Sequence, residues 1–495
     1  MADAALCPGV VETHTGLVVF VGDRAYKMKK PVVTDFLDFS SHDSREQACA
    51  HEVALNRRLA PDSYLGVGHF QPPQPGDPPE PVIVMRRHPD QARLAAMVRR
   101  GDDVTEPLAA IAQLLAHFHA GAHRGPEVDE QATADAVSAR WRENLAELDR
   151  YAAGVVPGVQ PTVVGEIARR AVGFLAGRDV LFARRIEGRR IVDGHADLLA
   201  DDIFCLPDGP ALLDCLEFDD RLRYVDGVDD AAFLAMDLEF LGRPDLGEVF
   251  LRRYLDLAAD DAPESLRHFY IAYRAVVRAK VECVRYTQGH TASADDARRH
   301  LQIALEHLRA GSVRLILIGG GPGTGKTTLA RAIAEKLGAQ VISTDDVRAQ
   351  LDARGEITGA PGVLGEGLYS RENIEKVYDA VLRQARRGLS QGRTVILDGT
   401  WSDPRQRQRA RELGTELAAD SAPAEFACVA ALHDTVDRIR TRNATTSQVT
   451  PEIATALAAR DPDHGSWPQA HPIDTTREMS ESVAEALDVC RATDN

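Results

Sequence analysis

Residues Gly320 to Thr327 read G-G-P-G-T-G-K-T, and no other run constrains this chain so strongly. Before it lies Val313 to Ile318 (V-R-L-I-L-I), an apolar, β-branched run expected to form a buried strand. After it, Leu329, Ile333 and Leu337 recur at four-residue spacing, so Thr327 to Leu337 is expected to be a helix stopped by Gly338. Strand, glycine loop and helix is the setting in which backbone N–H groups curl inward around phosphate oxygens, helped by the positive end of the helix dipole. Gly320, Gly321, Pro322, Gly323, Thr324 and Gly325 would form the cradle. Lys326 would reach the β- and γ-phosphates and Thr327 would ligate Mg²⁺, with Thr328 also among the nucleotide-binding residues. The pattern implies a nucleoside triphosphate site, with ATP and Mg²⁺ as its expected cofactors.

At 495 residues the chain exceeds what one core organises, and 44% hydrophobic residues suffice for several. No apolar run approaches the ~20 residues of a membrane-spanning helix, and the N-terminus lacks the basic-then-apolar order of a secretory signal. Seven dispersed cysteines without a C-x-x-C pair argue for a reducing compartment rather than a disulfide framework or zinc site. A net charge of −17 disfavours nucleic-acid partners. These features together predict a cytoplasmic protein whose partner is a small molecule, with no membrane association; oligomeric state is not encoded legibly.

The expected division is 1–90, a β-rich small lobe; 91–290, a helical lobe; 291–311, a helical linker; and 312–495, the nucleotide-binding domain. Gly16 to Val21 and Ala25 to Lys30 flank a G-D-R turn and read as a hairpin. Arg45 to Leu59 reads as a helix carrying Glu52, and Val82 to Met85 as a strand after the proline-rich stretch Gln71 to Pro81. From Thr105 the spacing of Leu108, Ile111, Leu115 and Phe118 predicts a helix with Thr105 as N-cap and Pro107 in its first turn.

Gly194 to Asp220 carries the chemistry of this half. His195, Asp197 and Asp202 follow the H-x-D-x-x-x-x-N spacing of a kinase catalytic loop, with Asp202 in the Asn place. Phe204 to Leu206 and Ala211 to Leu213 flank a P-D-G turn, and the resulting hairpin delivers Asp214. Asp197 would then be a base beside two metal-binding carboxylates, Asp202 and Asp214, as phosphoryl transfer to a hydroxyl requires. Glu217 is the alternative to Asp214. With Lys27 in A-Y-K-M-K-K, Glu52 and the Asp226/Asp230 region, residues 10–290 resemble the aminoglycoside-phosphotransferase branch of the kinase-like enzymes. The resemblance implies a two-lobed protein-kinase-like fold in which Lys27 or Lys29, held by Glu52, meets the nucleotide phosphates. Arg184, Arg185, Arg189 and Arg190, with Arg274, Arg278, Lys280 and Arg285, read either as partners of surface carboxylates or as an anionic-acceptor site.

In the C-terminal half, Gln340 to Ser343 reads as a strand followed by T-D-D-V-R (Thr344 to Arg348), where ligands of open α/β sheets bind. The stretch I-S-T-D-D-V-R resembles small-molecule P-loop kinases related to zeta toxins. That resemblance makes Asp345 the base and Arg348 the group gripping the acceptor; an N-cap role for Asp345 or Asp346 is the alternative. Thr394 to Leu397 reads as a further strand ending in Asp398, a Walker-B-like carboxylate for Mg²⁺. Arg438, Arg440 and Arg442, in D-R-I-R-T-R-N, offer a lid in which Arg438 and Arg442 stabilise the transferring phosphate, or a solvated helix. The fused order resembles bacterial proteins described as aminoglycoside phosphotransferase-like with an ATP-binding domain. It implies a multidomain α+β and α/β chain, a protein-kinase-like module before a P-loop module with a parallel sheet. The expected activity is ATP- and Mg²⁺-dependent transfer of phosphate to a small hydroxylated molecule (sugar, aminoglycoside-like or nucleoside). A nucleotide-binding regulatory protein with a degenerate N-terminal lobe is the alternative.

Overall fold

The β-branched run Leu17 to Val21 favours extended chain, and Gly22, at φ 54°, turns it back on itself. In the computed structural model, strands β2 (Gly16–Val21) and β3 (Arg24–Lys29) pair antiparallel, with Val18 opposite Lys27. The structure describes residues 9–12, 16–32, 38–71, 78–360, 366–418, 423–441, 450–451, 454–455 and 467–492. They form two units. The first comprises Met1–Pro161, Arg185–Ala262 and Tyr270–Ala304; the second comprises Thr162–Arg184, Pro263–Phe269 and Leu305–Asn495.

In the first unit, β1 (Gly9–Glu12), β4 (Tyr64–Phe70) and β5 (Glu80–Arg86) join the hairpin in an antiparallel sheet of order β1-β2-β3-β5-β4. The helix His42–Asn56, N-capped by the Ser41 side chain accepting from the Ser44 N–H, connects β3 to β4. It buries Cys49 and Val53 against Tyr64 and Ile83 of the sheet and against Phe204, Ala211 and Leu213. The last three belong to or adjoin the hairpin β7 (Ile203–Leu206) and β8 (Gly209–Leu212), which lies between the paired strands β6 (Ile191–Asp193) and β9 (Tyr224–Asp226). Helices Thr105–Gly121, Ala134–Ala152, Gly227–Phe240, Pro244–Leu257 and most of Glu264–Thr287 are among those that build the remainder. A five-stranded sheet with one intervening helix, followed by a helical lobe, is the two-lobed protein-kinase-like fold.

The second unit holds a five-stranded parallel sheet: β10 (Leu315–Gly319), β11 (Gln340–Ser343), β12 (Val395–Asp398), β13 (Ala424–Val429) and β14 (His471–Asp474), in the order β11-β12-β10-β13-β14. Every residue of β10 and β12 is buried, as strands covered on both faces require. Ile316, Ile318, Phe426 and Ile473 of the sheet pack with Leu329 and Ile333 of the helix Lys326–Leu337. Because β10 lies between β12 and β13, the loop after Gly319 and the carboxylate ending β12 emerge at one edge, the carboxyl end where such sheets bind ligands.

Three local expectations are corrected. The helix from Thr105 has Val104 as its N-cap residue without a side-chain cap; Asp103 accepts the Thr105 N–H instead, at 2.9 Å. The strand before the glycine loop begins at Leu315 rather than Val313. Of the proline-rich stretch, Glu80 and Pro81 belong to β5, while residues 72–77 lie outside the described residues.

Candidate active sites

The glycine loop follows β10 and ends at the helix Lys326–Leu337, whose N-cap is Gly325. Gly320, Gly323 and Gly325 take φ of 136°, 76° and 85°, in the region that favours glycine. A Cβ at Gly320 would stand 2.5 Å from the Cys428 carbonyl oxygen, and one at Gly323 would stand 2.6 Å from that of Thr435. Backbone from β13 and the helix Leu432–Thr441 therefore closes on the loop, and side chains there are excluded sterically as well as conformationally. Lys326 Nζ donates to the Gly321 carbonyl at 2.7 Å, which keeps the ammonium within the loop.

Thr327 Oγ1 donates to Asp398 Oδ2 at 2.7 Å. Asp398 is 2% exposed, and its Oδ1 has no hydrogen-bond partner. Burial raises this carboxyl's pKa, against the opposing pull of the Thr327 hydroxyl and Lys326. A hydroxyl and an orphaned carboxylate oxygen are the hard donors Mg²⁺ prefers. Among the described residues no group of three or more His, Cys, Asp or Glu side chains is placed to hold a metal. Thr327 and Asp398 therefore fit part of an Mg²⁺ site, and would hold the ion only together with ligands from elsewhere.

Asp345 lies in the first turn of the helix Thr344–Ala353, at the carboxyl end of β11. Ser343, not either aspartate, is the N-cap, its hydroxyl accepting the Asp345 N–H at 3.3 Å. The Asp345 carboxylate is thereby left to pair with Arg348 Nη1 at 2.6 Å. Arg348 stacks 4.4 Å from the Tyr369 ring, and its buried Nε has no hydrogen-bond partner. Asp345 is also one of the charges that raise the Asp398 carboxyl, and parallel pairing sets Ser343 beside Asp398 at the carboxyl ends of β11 and β12.

Arg438 lies on the helix Leu432–Thr441 and donates to Thr475 twice, to Oγ1 at 3.2 Å and to the carbonyl at 2.8 Å. A Cβ at Gly325 would lie 3.6 Å from its Nη1, so the guanidinium rests against the glycine loop. Arg442 lies outside the described residues. Sequence reasoning missed Thr475. It is 5% exposed, donates from Oγ1 to the Thr324 carbonyl at 2.6 Å, and ties the loop to the end of β14. A lone threonine so far along the chain carries no local signal for that task.

In the first unit, Lys27 Nζ lies 2.8 Å from Glu52 and 2.7 Å from Asp214, whereas Lys29 Nζ lies 2.5 Å from Glu52 and 2.7 Å from Glu217. The two lysines alternate with Met28 along β3, share the fully buried Glu52, and each hold a separate acid. Burial opposes the Lys27 charge, but Asp214 and Glu52 outweigh it and raise its pKa. Asp214 sits at φ 61° beyond β8, its carboxyl lowered by Lys27. Asp202 is raised well above the usual range by burial and by the charges of Asp214 and Asp197. Asp197 is raised to about 6, by burial first and by Asp214 and Glu217, against Arg278 and Arg274. Asp214 and Glu217 are thus held by Lys27 and Lys29, and Asp197 and Asp202 both feel the charge of Asp214.

The loop bearing Asp197 is braced from below. His195 is 1% exposed and pushed down to about 4 by burial, so it is neutral. Its Nδ1 accepts the Asp197 N–H at 3.3 Å, which places the proton on Nε2, donated to the Leu213 carbonyl at 3.1 Å. Asp230, completely buried, accepts the N–H groups of His195 and Ala196 at 2.7 Å each and of His119 Nε2 at 2.9 Å. Ala196 is held at φ 67°, a strained position for a residue with a Cβ. Arg274 pairs bidentately with Asp229, at 2.7 and 2.9 Å, and also donates to the Ala196 carbonyl. Arg185 clamps Asp226 and Asp260. Arg185 and Arg274 are thus buried structural cations, which replaces both a surface-pair role and an acceptor-binding role for these two.

An AAA domain family model matches residues 315–486. Over 88 residues, 18% of this chain and 46% of the other, the sequence is 36% identical to a cytidylate kinase of Archaeoglobus fulgidus. A choline/ethanolamine kinase family protein from Mesorhizobium loti aligns in structure at 15% identity, over 62% of this chain and 94% of that one, with a TM-score of 0.36. The uncharacterized protein Rv2004c of Mycobacterium tuberculosis is 56% identical over 483 residues, covering 98% of this chain and 95% of its own. Nearly full-length identity at that level means that the chain belongs to the same family as this mycobacterial protein.

Proposed function

We propose that the chain is an ATP- and Mg²⁺-dependent phosphotransferase whose acceptor is the hydroxyl of a small molecule, with the P-loop unit as its catalytic module. The observation that carries this reading is the Asp345–Arg348 pair, at the same sheet edge as the glycine loop and close enough to Asp398 to raise its carboxyl. The partial identity to a cytidylate kinase supports a kinase reaction and brings nucleosides and nucleotides among the acceptors to be tried.

In this reading Asp345 takes the proton from the acceptor hydroxyl as its oxygen bonds the γ-phosphorus; the β–γ bridging P–O bond breaks and ADP leaves. Arg348, free at Nε and stacked on Tyr369, orients the acceptor. Lys326, the loop N–H groups and Arg438 offset charge on the phosphates. Thr327 and Asp398 would hold Mg²⁺, which when bound neutralises phosphate charge and fixes the phosphate chain. Arg442 is proposed with Arg438 as a lid residue.

For the first unit, Asp197 as base, Asp202 and Asp214 as metal carboxylates, and Lys27 on the phosphates make up a second transfer site. One observation favours a regulatory lobe there instead: Asp202 adds a half-buried acid, raised by desolvation and by its neighbours, where kinase loops carry a neutral Asn. The test is transfer of label from γ-labelled ATP to panels of sugars, aminoglycosides, nucleosides and nucleoside monophosphates, using the full chain and its Asp345→Asn and Asp197→Asn forms. Loss with Asp345→Asn alone assigns turnover to the P-loop unit. Turnover unaffected by Asp345→Asn refutes the proposal.

A further inference from the structure

Lys27 and Lys29 stand two residues apart on one face of β3, and their surroundings divide them into an outer and an inner pair. In the outer pair the Lys27 side chain is 14% exposed, and its ammonium donates at 2.7 Å to Asp214, whose side chain is 46% exposed. In the inner pair the Lys29 side chain is 1% exposed. Its ammonium donates to Glu217 Oε1 at 2.7 Å, meets Glu52 Oε2 at 2.5 Å, and lies 5.4 Å from the centre of the buried Phe39 ring. Glu52 divides its two oxygens between the lysines. A ligand arriving from solvent therefore meets Lys27 and Asp214, while Glu52, Glu217 and Phe39 wall off Lys29. Burial and Lys27 oppose the Lys29 charge, but Glu52 and Glu217 outweigh them and raise its pKa, so it stays an ammonium. Glu217 is partly buried, and its charge acts on Lys27 as well. Removing Lys29 would leave Glu217 an unpaired acid beside the lysine that incoming phosphates reach, since truncating one member of a buried pair strands the other.

We propose that Lys29 is a positioning residue of the first unit's nucleotide site: it engages Glu217 from within, leaves Lys27 to the nucleotide phosphates, and touches no phosphate itself. The inference rests on the reading of that unit as a nucleotide site. It separates two lysines of identical chemistry by the acids that stand behind each.

The experiment is isothermal titration of the full chain with ATP and Mg²⁺ in a Lys326→Ala background, so that the glycine loop does not answer for the first unit. Lys29→Met is expected to weaken ATP binding roughly tenfold or more, and adding Glu217→Gln to restore it to within about threefold. The same Glu217→Gln should not restore Lys27→Met, because Lys27 itself meets the phosphates. Adenosine, which brings no phosphate, is the second ligand, and its affinity should be alike with and without Lys29→Met. A loss that adenosine shares makes Lys29 a structural residue and overturns the proposal. A loss confined to ATP that Glu217→Gln leaves unrepaired places Lys29 on the phosphates and overturns it equally. Glu217→Gln alone, in which Lys29 keeps Glu52, covers the case of a Lys29→Met chain that does not fold. A loss of about tenfold in ATP affinity there would mean that the nucleotide needs Glu217, again against the proposal. Absence of ATP binding by the Lys326→Ala chain itself removes the reading of a nucleotide site, and this inference with it.

Discussion

Replacing Thr475 with valine keeps the shape of the side chain and deletes one hydroxyl, so what it costs is set by what that hydroxyl does. Oγ1 donates to the Thr324 carbonyl at 2.6 Å and accepts from Arg438 Nη1 at 3.2 Å. A neutral hydrogen bond is worth about 0.5–1.5 kcal/mol and one to a charged group about 1.5–3 kcal/mol. The two together predict a loss of about 2–4.5 kcal/mol, because at 5% exposure water does not readily replace either partner. The loss divides between folding and nucleotide binding, depending on how far the loop relaxes once untied. Both are measurable on one preparation, by urea unfolding followed by fluorescence and by isothermal titration with ATP. The expected result is a lower unfolding midpoint together with ATP affinity weakened roughly tenfold or more, since about 1.4 kcal/mol is a factor of ten. If both stay within about 0.5 kcal/mol of wild type, the threonine does not hold the loop.

Further outcomes are expected elsewhere. Lys326→Ala should remove most ATP affinity of the P-loop unit, seen by titration, since no other residue of Gly320–Thr327 carries positive charge; unchanged affinity would show that the loop does not bind phosphate. Asp230→Ala should destabilise the first unit by about 3–5 kcal/mol, since it strands two buried N–H groups and His119; a denaturant titration that finds less than about 1 kcal/mol would remove Asp230 as the brace of the loop. His300, 2% exposed and stacked 4.1 Å from Phe240, is held by burial at about 3. Between about pH 3 and its unfolded value near 6.5, the unfolded chain binds the extra proton, so stability is full above that window and lost as pH falls through it. His300→Phe should flatten this acid dependence of the unfolding midpoint, and an unchanged slope would assign acid lability to other groups.

Much of both sites is legible in the chain because local spacing encodes local structure. Apolar runs ending in Gly319, Ser343 and Asp398 mark strand ends, and glycines mark a loop that bends where side chains do not fit. The turn between β7 and β8 likewise delivers Asp214 from sequence alone. What tertiary structure decided is partner choice over long separations. Lys27 and Lys29 look equivalent on β3, and only the packed helix and hairpin give Asp214 to one and Glu217 to the other. Asp345 is released for Arg348 because Ser343 takes the cap, a competition between neighbours that letter patterns leave open. Thr475 reaches Thr324 across 151 positions, and Asp230 reaches the His195 loop across 35. Most unlike any linear reading, Thr162–Arg184 and Pro263–Phe269 cluster with the P-loop unit rather than with the segments around them. Phe174 and Phe269 stack 4.3 Å apart there, and Ser265 donates to the Gly392 carbonyl at 2.6 Å. Periodicity states that a helix has an apolar face; which surface buries that face is settled by shape and charge brought together only when the chain folds.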